Sequence, residues 1–279
     1  MRACQLVEYK RPLQIREVPI PEPHGEAVLV KIGGSGLCHS DLHLMSGERP
    51  KPLPLPFTLG HENAGWVAAV GDSVQSVKVG DAVAVYGGWS THPDRFTWLG
   101  MEQLTDVQSW VGIGTTGGYA DYLLVPSYRY LLPLNGLDPV EAAPLTDAGL
   151  TPYRAIKKIL PHLYPGATIV LIGAGGLGQF GVQYAKALAP ACQIIVLDIN
   201  EEKLAMARTV GADVVLNGSR DDVIDQVKRL TEGEGAQGIV DFVGSDATMA
   251  QAAALAGRRA KVVLAACVRS RSAMPSLRM

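Results

Sequence analysis

A chain of 279 residues with 47% hydrophobic residues is long enough for about two cores, because single cores stop growing at a few hundred residues. Its formal net charge of −2 and pI near 6.3 leave no basic surplus, which excludes the electrostatic footprint of a nucleic-acid binder. No run of about 18 apolar residues predicts a membrane span, and the first residues lack a signal-peptide core. Cys4, Cys38, Cys192 and Cys267 are too scattered to read as a disulfide framework, so a cytoplasmic location is expected.

The first half reads as strands separated by glycine and proline clusters. Ala27 to Ile32, Trp66 to Val70, Ala82 to Tyr86 and Tyr119 to Val125 are β-rich runs, and a proline-rich stretch covers Pro50 to Pro56. From about Pro139 the texture changes. Strands are predicted at Thr168 to Ile172, Gln193 to Leu197, Asp213 to Leu216, Ile239 to Phe242 and Lys261 to Ala265. Helices are predicted at Leu177 to Leu188, Glu201 to Val210, Asp221 to Leu230 and Ala247 to Leu255. Strand and helix alternating at this spacing imply a parallel sheet with right-handed crossovers. The boundary is expected near residues 145 to 155, giving an α/β chain with domains at 1–148 and 149–279.

Directly after the strand ending at Ile172 comes Gly173-Ala174-Gly175-Gly176-Leu177-Gly178, a GxGxxG turn entering a helix. Such a turn needs its glycines for a tight bend, for backbone approach to a pyrophosphate, and for close helix-to-strand packing. A glycine-rich turn alone is weak. Asp198, at the end of the next strand, strengthens it, since a carboxylate there accepts hydrogen bonds from ribose hydroxyls and repels a 2′-phosphate. The reading is NAD rather than NADP; the competing role for Asp198 is to cap the following helix. Lys203 either adds a ribose contact or is a solvated helix residue.

Two short stretches in the N-terminal half carry metal-binding side chains: Gly36-Leu37-Cys38-His39-Ser40-Asp41-Leu42-His43 and Gly60-His61-Glu62. Taken singly, Cys38 reads as a small buried hydrophobe and His61 as a satisfied core histidine. Together, and followed in order by the glycine-rich turn, they resemble the zinc-dependent alcohol dehydrogenases of the medium-chain dehydrogenase family, from Lys10 to about Leu264. That resemblance implies a GroES-like β-rich catalytic domain, a Rossmann domain, and hydride transfer between a small primary or secondary alcohol and NAD. It implies one catalytic zinc held by Cys38, His61 and Asp147, acting as a Lewis acid on the substrate oxygen. The competing role for Asp147 is a helix cap.

By the same resemblance Ser40 hydrogen-bonds the alcohol, His43 completes a proton relay, His39 faces the cofactor phosphates and Thr151 the nicotinamide. Asp41 would orient His61 through its second ring nitrogen, and Glu62 would stand behind the zinc. An ordinary polar turn is the alternative for Ser40, Asp41 and His43. A homodimer or tetramer is the family's usual assembly.

The chain departs from the family twice. Residues 87 to 112 contain no cysteine, where many relatives carry four for a structural zinc. The segment instead holds Trp89, Trp98 and Trp110; either it packs these tryptophans or a compensated frame shift has rewritten it. His92 and Asp94 there are expected to be solvated rather than ligands. Five Rossmann strands are counted where the usual order has six, followed by a basic stretch containing Arg269, Arg271 and Arg278, so an incomplete Rossmann sheet with little turnover is expected. The enzymatic alternative is a zinc-free NADPH quinone reductase of the same superfamily, and the alternative of another class is a noncatalytic NAD-binding remnant.

Overall fold

A computed structural model describes residues 1–47, 52–90, 94–105 and 108–266, with no side-chain description for residue 108. The chain divides into two compact units, Met1–Asp147 and Ala148–Met279. His92, Cys267 and the arginines at 269, 271 and 278 lie outside the described residues.

The first unit runs Arg2–Leu6 (β1), Gln14–Glu17 (β2), Val28–Gly36 (β3), His39–Ser46 (α1), Phe57–Thr58 (β4), Glu62–Val70 (β5), Ala82–Val85 (β6), Gly88–Ser90 (β7), Arg95–Trp98 (α2), Gln108–Trp110 (β8), Tyr122–Val125 (β9), Leu131–Pro133 (β10) and Pro139–Ala142 (α3). Its main sheet has the antiparallel order β10-β6-β5-β3-β9, and a smaller one the order β2-β1-β4. Val28, Val30, Val67, Val83, Val85, Leu123 and Val125 form its central core.

All four β-rich runs read from the sequence are strands here, but β3 continues to Gly36, beyond the expected end at Ile32. Glycines normally weaken a strand. Here they let β3 lie close to its neighbours: a Cβ at Gly34 would meet the Val140 backbone, and one at Gly36 would collide with the Glu62 carboxylate paired across from it. The extension delivers the chain to Cys38.

The cysteine-free lobe packs part of its aromatic content. Trp89 is buried and its Nε1 donates to the Tyr86 carbonyl at 2.7 Å, and Trp110 stands edge-on to Tyr86. Trp98 is exposed. Asp94 caps α2, accepting from the Phe96 and Thr97 N–H groups, which is a structural use of that carboxylate.

The second unit runs Leu150–Ile159 (α4), Thr168–Ile172 (β11), Gly176–Leu188 (α5), Gln193–Asp198 (β12), Glu201–Thr209 (α6), Val214–Asn217 (β13), Val223–Leu230 (α7), Ala236–Asp241 (β14), Asp246–Leu255 (α8) and Ala256–Leu264 (β15). The parallel order among the described residues is β13-β12-β11-β14-β15. Alternate residues of β11 feed two layers. Ile169 and Leu171 pack with Ile156, Val182 and Leu204 from α4, α5 and α6, while Val170 and Ile172 pack with Val223, Val227 and Leu255 from α7 and α8. A strand buried on both faces must be apolar throughout, as Thr168–Ile172 nearly is.

Strand order reverses beside β11, and the glycine-rich turn leaves its C-terminal end at that switch point, where doubly wound sheets bind ligands. A Cβ on Gly178 would strike the Gly173 carbonyl oxygen, whereas Gly176 faces open space. Gly178→Ala should therefore lower stability by about 1–3 kcal/mol through overpacking, while Gly176→Ala should stay within about 0.5 kcal/mol of the parent. Urea midpoints at unchanged slope check both values.

Candidate metal and dinucleotide sites

The first site is assembled within the first unit. β3 ends at Gly36, Leu37 follows, and Cys38 stands immediately before α1. Gly60-His61 leads into β5, and Asp147 ends the turn after α3. Ligand atoms of Cys38, His61 and Asp147 all lie within 4.8 Å of one another. His61 is buried, with 1% of its surface exposed, and Cys38 and Asp147 are half-buried.

His61 is the constraining member. Its Nε2 is 3.3 Å from Asp147 Oδ2 and its Nδ1 is 3.5 Å from Asp41 Oδ1, yet neither ring nitrogen has a well-formed hydrogen bond among the described residues. A buried nitrogen without a proper partner costs free energy unless something else satisfies it. A thiol sulfur, an imidazole nitrogen and a carboxylate oxygen converging around it are donors that suit zinc. The residues present therefore fit the metal that the sequence implies.

Further contacts hold these three in place. Asp41 is buried, and its Oδ2 accepts the Cys38 N–H at 3.0 Å and the Tyr119 hydroxyl at 2.7 Å. Burial opposes ionisation of Asp41, but the close His61 ring and the hydrogen bonds from the Cys38 N–H and the Tyr119 hydroxyl outweigh it and hold its pKa below the usual carboxylate value. Thr146 Oγ1 accepts the Asn63 N–H at 3.1 Å and donates to the Ala143 carbonyl at 2.9 Å, tying the turn before Asp147 to β5. Asn63 Nδ2 in turn donates to the Gly60 carbonyl at 3.0 Å.

The other residues expected here fall as follows. Ser40 Oγ lies 3.6 Å from Cys38 Sγ. His39 and His43 occupy successive turns of α1 with ring centroids 4.8 Å apart; His39 is exposed and His43 half-buried. These residues lie on a helix, not in the polar turn that was the alternative reading. Glu62 is buried over Gly36. α4 begins at Leu150 with Gly149, not Asp147, at its N-cap position. Tyr119, Asn63 and Thr146 were missed by sequence reasoning. A lone Tyr in Gly117-Gly118-Tyr119 carries no signal of its own, and only the fold brings it to Asp41.

The second site lies in the second unit. Gly173 has φ +94°, a left-handed conformation that suits glycine, and Gly175 and Gly176 would place a Cβ in open space. Gly175 precedes α5 and supplies no side-chain cap, so the first N–H groups of that helix, around Leu177 and Gly178, form an anion-binding end. An open cradle that packing within the chain does not require fits a pyrophosphate.

Asp198 Oδ2 accepts the Ala174 N–H at 2.6 Å and Oδ1 the Asn200 N–H at 2.9 Å. Asn200, not Asp198, caps α6. The carboxylate thus stands against the glycine turn with accepting capacity left over. Lys203 lies on α6 with its side chain exposed, and Thr151 is half-buried in the first turn of α4.

In the metal-free protein the two carboxylates govern His61. Burial disfavours its charged form, but the contacts with Asp147, Asp41 and Cys38 prevail and push its pKa up to about 12. A folded pKa raised above the unfolded value gives stability that is complete below about pH 6.5 and fades as pH rises toward the folded value. The stability advantage of the metal-free parent over His61→Gln should accordingly shrink as pH rises from 6 to 9, read from paired urea titrations.

Comparison with known proteins finds relatives for both units. Residues 24–136 match the Alcohol dehydrogenase GroES-like domain, and residues 176–278 match the Zinc-binding dehydrogenase family. The chain is 44% identical over 257 residues to an NAD-dependent alcohol dehydrogenase of Sulfurisphaera tokodaii, covering 89% of this chain and 73% of that protein. It is 38% identical over 266 residues to D-arabinose 1-dehydrogenase (NADP(+)) of Saccharolobus solfataricus, covering 94% and 75%. The crystal structure of the alcohol dehydrogenase from Aeropyrum pernix superimposes with a TM-score of 0.86 at 38% identity, covering 95% of this chain and 78% of that one. With both halves matched in order, this chain belongs to the zinc-type alcohol dehydrogenases of the medium-chain dehydrogenase family.

Proposed function

We propose that this chain is an oxidoreductase that passes a hydride between a small primary or secondary alcohol and NAD, giving the aldehyde or ketone, with one zinc held by Cys38, His61 and Asp147. The observation that carries the reading is the convergence of three ligand atoms within 4.8 Å around a buried imidazole that lacks a well-formed hydrogen bond. Zinc bound there supplies Lewis-acid polarisation of the reacting oxygen. In this reading residues 1–148 form the catalytic domain and 149–279 the NAD-binding domain, in the cytoplasm. The free thiols of Cys4, Cys38 and Cys192 support that location, and no described helix is long and apolar enough to cross a membrane.

The chain's own groups divide the remaining work. Ser40, close to the Cys38 sulfur, accepts the substrate hydroxyl proton into a hydrogen bond, and His43, one helical turn on, moves it toward solvent. His39, exposed beside His43, meets the cofactor phosphates, and Thr151 meets the nicotinamide. Asp41 holds His61, and the buried Glu62 carboxylate tunes the field behind the metal. Gly173, Gly175, Gly176, Leu177 and Gly178 receive the pyrophosphate on the α5 N-terminus, Asp198 takes the adenosine ribose, and Lys203 flanks it.

One zinc per chain is expected by metal analysis, because residues 87 to 112 offer no cysteines for a structural ion. Two zincs per chain would count against the assignment, and Cys38→Ser should abolish both metal retention and turnover.

NAD should be preferred over NADP, because a 2′-phosphate would meet the Asp198 carboxylate. Asp198→Gly should narrow that preference in steady-state kinetics. Equal kcat/KM for both cofactors in the unmodified protein would overturn the assignment.

A further inference from the structure

Tyr119 has no part in the ligand set, yet it touches the segments that carry Cys38 and His61. Its hydroxyl lies 2.7 Å from Asp41 Oδ2 and 3.1 Å from the Gly36 carbonyl. One proton serves one strong bond, and the shorter contact, to an ionised acceptor, takes it. The same Asp41 oxygen accepts the Cys38 N–H, while the other faces His61 Nδ1. Asp41 is 4% exposed, so water does not supply missing donors there.

The backbone of Tyr119 is equally tied down. Its N–H donates to the Leu59 carbonyl at 2.9 Å, and its carbonyl accepts the Cys4 N–H at 2.7 Å. Its ring covers Gly60, where a Cβ would press on Tyr119 Cδ1, and packs with Leu6, Leu44 and Leu59. The residue before His61 is a glycine at φ +98°, with no room for a Cβ beside this ring and the Tyr119 backbone. Burial and the neighbouring carboxylate push the phenol well above its ordinary pKa, so it remains a donor.

We propose that Tyr119 is a positioning residue of the metal site: its hydroxyl fixes the Asp41 carboxylate so that one oxygen anchors the Cys38 backbone and the other aims the His61 ring. The ring packing alone would be met by phenylalanine. The hydroxyl adds orientation: without it, Asp41 Oδ2 keeps a single N–H partner in a buried place, and the carboxylate is free to turn away from His61. This role rests on the reading of Cys38, His61 and Asp147 as zinc ligands.

The test compares the full chain with Tyr119→Phe, Asp41→Asn and the double variant, each stripped of metal and shown folded by circular dichroism. Zinc dissociation constants come from competition with a chromophoric chelator, and site geometry from the visible spectrum of the cobalt-substituted protein. Tyr119→Phe should bind zinc about tenfold more weakly, at the low end of the range for groups that orient a metal ligand, with shifted cobalt bands. The double variant should bind no more weakly than Asp41→Asn alone, because the hydroxyl acts only through Asp41.

A zinc constant for Tyr119→Phe within twofold of the parent, with an unchanged cobalt spectrum, would overturn the proposal whatever happens to thermal stability. Fully additive losses would overturn the route through Asp41. An unmodified chain that binds no zinc would fail at the ligand set itself, which separates that failure from one specific to residue 119. If Tyr119→Phe does not fold, the unmodified protein still decides: the Tyr119 hydroxyl proton, held in its hydrogen bond to Asp41, should give an NMR resonance that moves on zinc removal, and a resonance that stays in place sinks the proposal.

Discussion

A buried imidazole between two carboxylates is the interaction around which the first unit is arranged. His61 cannot be left there as a neutral ring with two idle nitrogens, nor as an isolated cation, without a large desolvation cost. Asp41 answers one nitrogen and Asp147 the other, and both contacts are long. The Nε2 side, where Asp147 and the Cys38 sulfur also converge, is the place that suits a cation, while Asp41 holds the opposite nitrogen. Much of the surrounding sequence follows from this need: glycines at 34 and 36 bring β3 close to α3 and β5, Cys38 opens α1, and Asn63 and Thr146 fasten the turn that presents Asp147.

The second unit solves a different problem with the same economy of polar groups. A pyrophosphate needs backbone N–H donors, and those donors are available only where a helix starts without a side-chain cap. α5 starts that way, above a central strand buried on both sides. Asp198 reaches back from β12 to the Ala174 N–H, so one carboxylate braces the turn and presents negative charge beside it. On the proposed reading, in which Asp198 would also turn away a 2′-phosphate, that residue cannot be exchanged for one purpose without affecting the other.

Much of this was legible in the sequence, for reasons that differ by element. The apolar strands β11 to β14 and the helices between them announce themselves because burial on both faces forces a compositional contrast. Their observed bounds differ from the predicted ones by no more than about three residues, within the usual uncertainty of element ends. β1 and β2 left no signal: Gln14–Glu17 is exposed throughout and shows no apolar face. β3 was cut short because Gly33 to Gly36 reads as a break, and only the proximity of Trp66, Val140 and Glu62 explains why glycines continue the strand. The ligands Cys38, His61 and Asp147 were read through resemblance to a family, since singly each has an ordinary structural use. The contacts that hold them, above all Tyr119, depend on a hydrogen bond across 78 positions, which no local pattern encodes.

The spread of the ligand set along the chain has a kinetic consequence. Cys38, His61 and Asp147 come from three distant segments, and joining them means closing long loops, a slow and entropically costly search. The site forms only when β3, β5 and the turn after α3 are in register, since a one-residue slip turns side chains to the opposite face. A metal ion that binds only the completed arrangement stabilises it by mass action and leaves misregistered chains unrewarded. Zinc held by these three residues would then favour the correctly paired strands over misregistered ones.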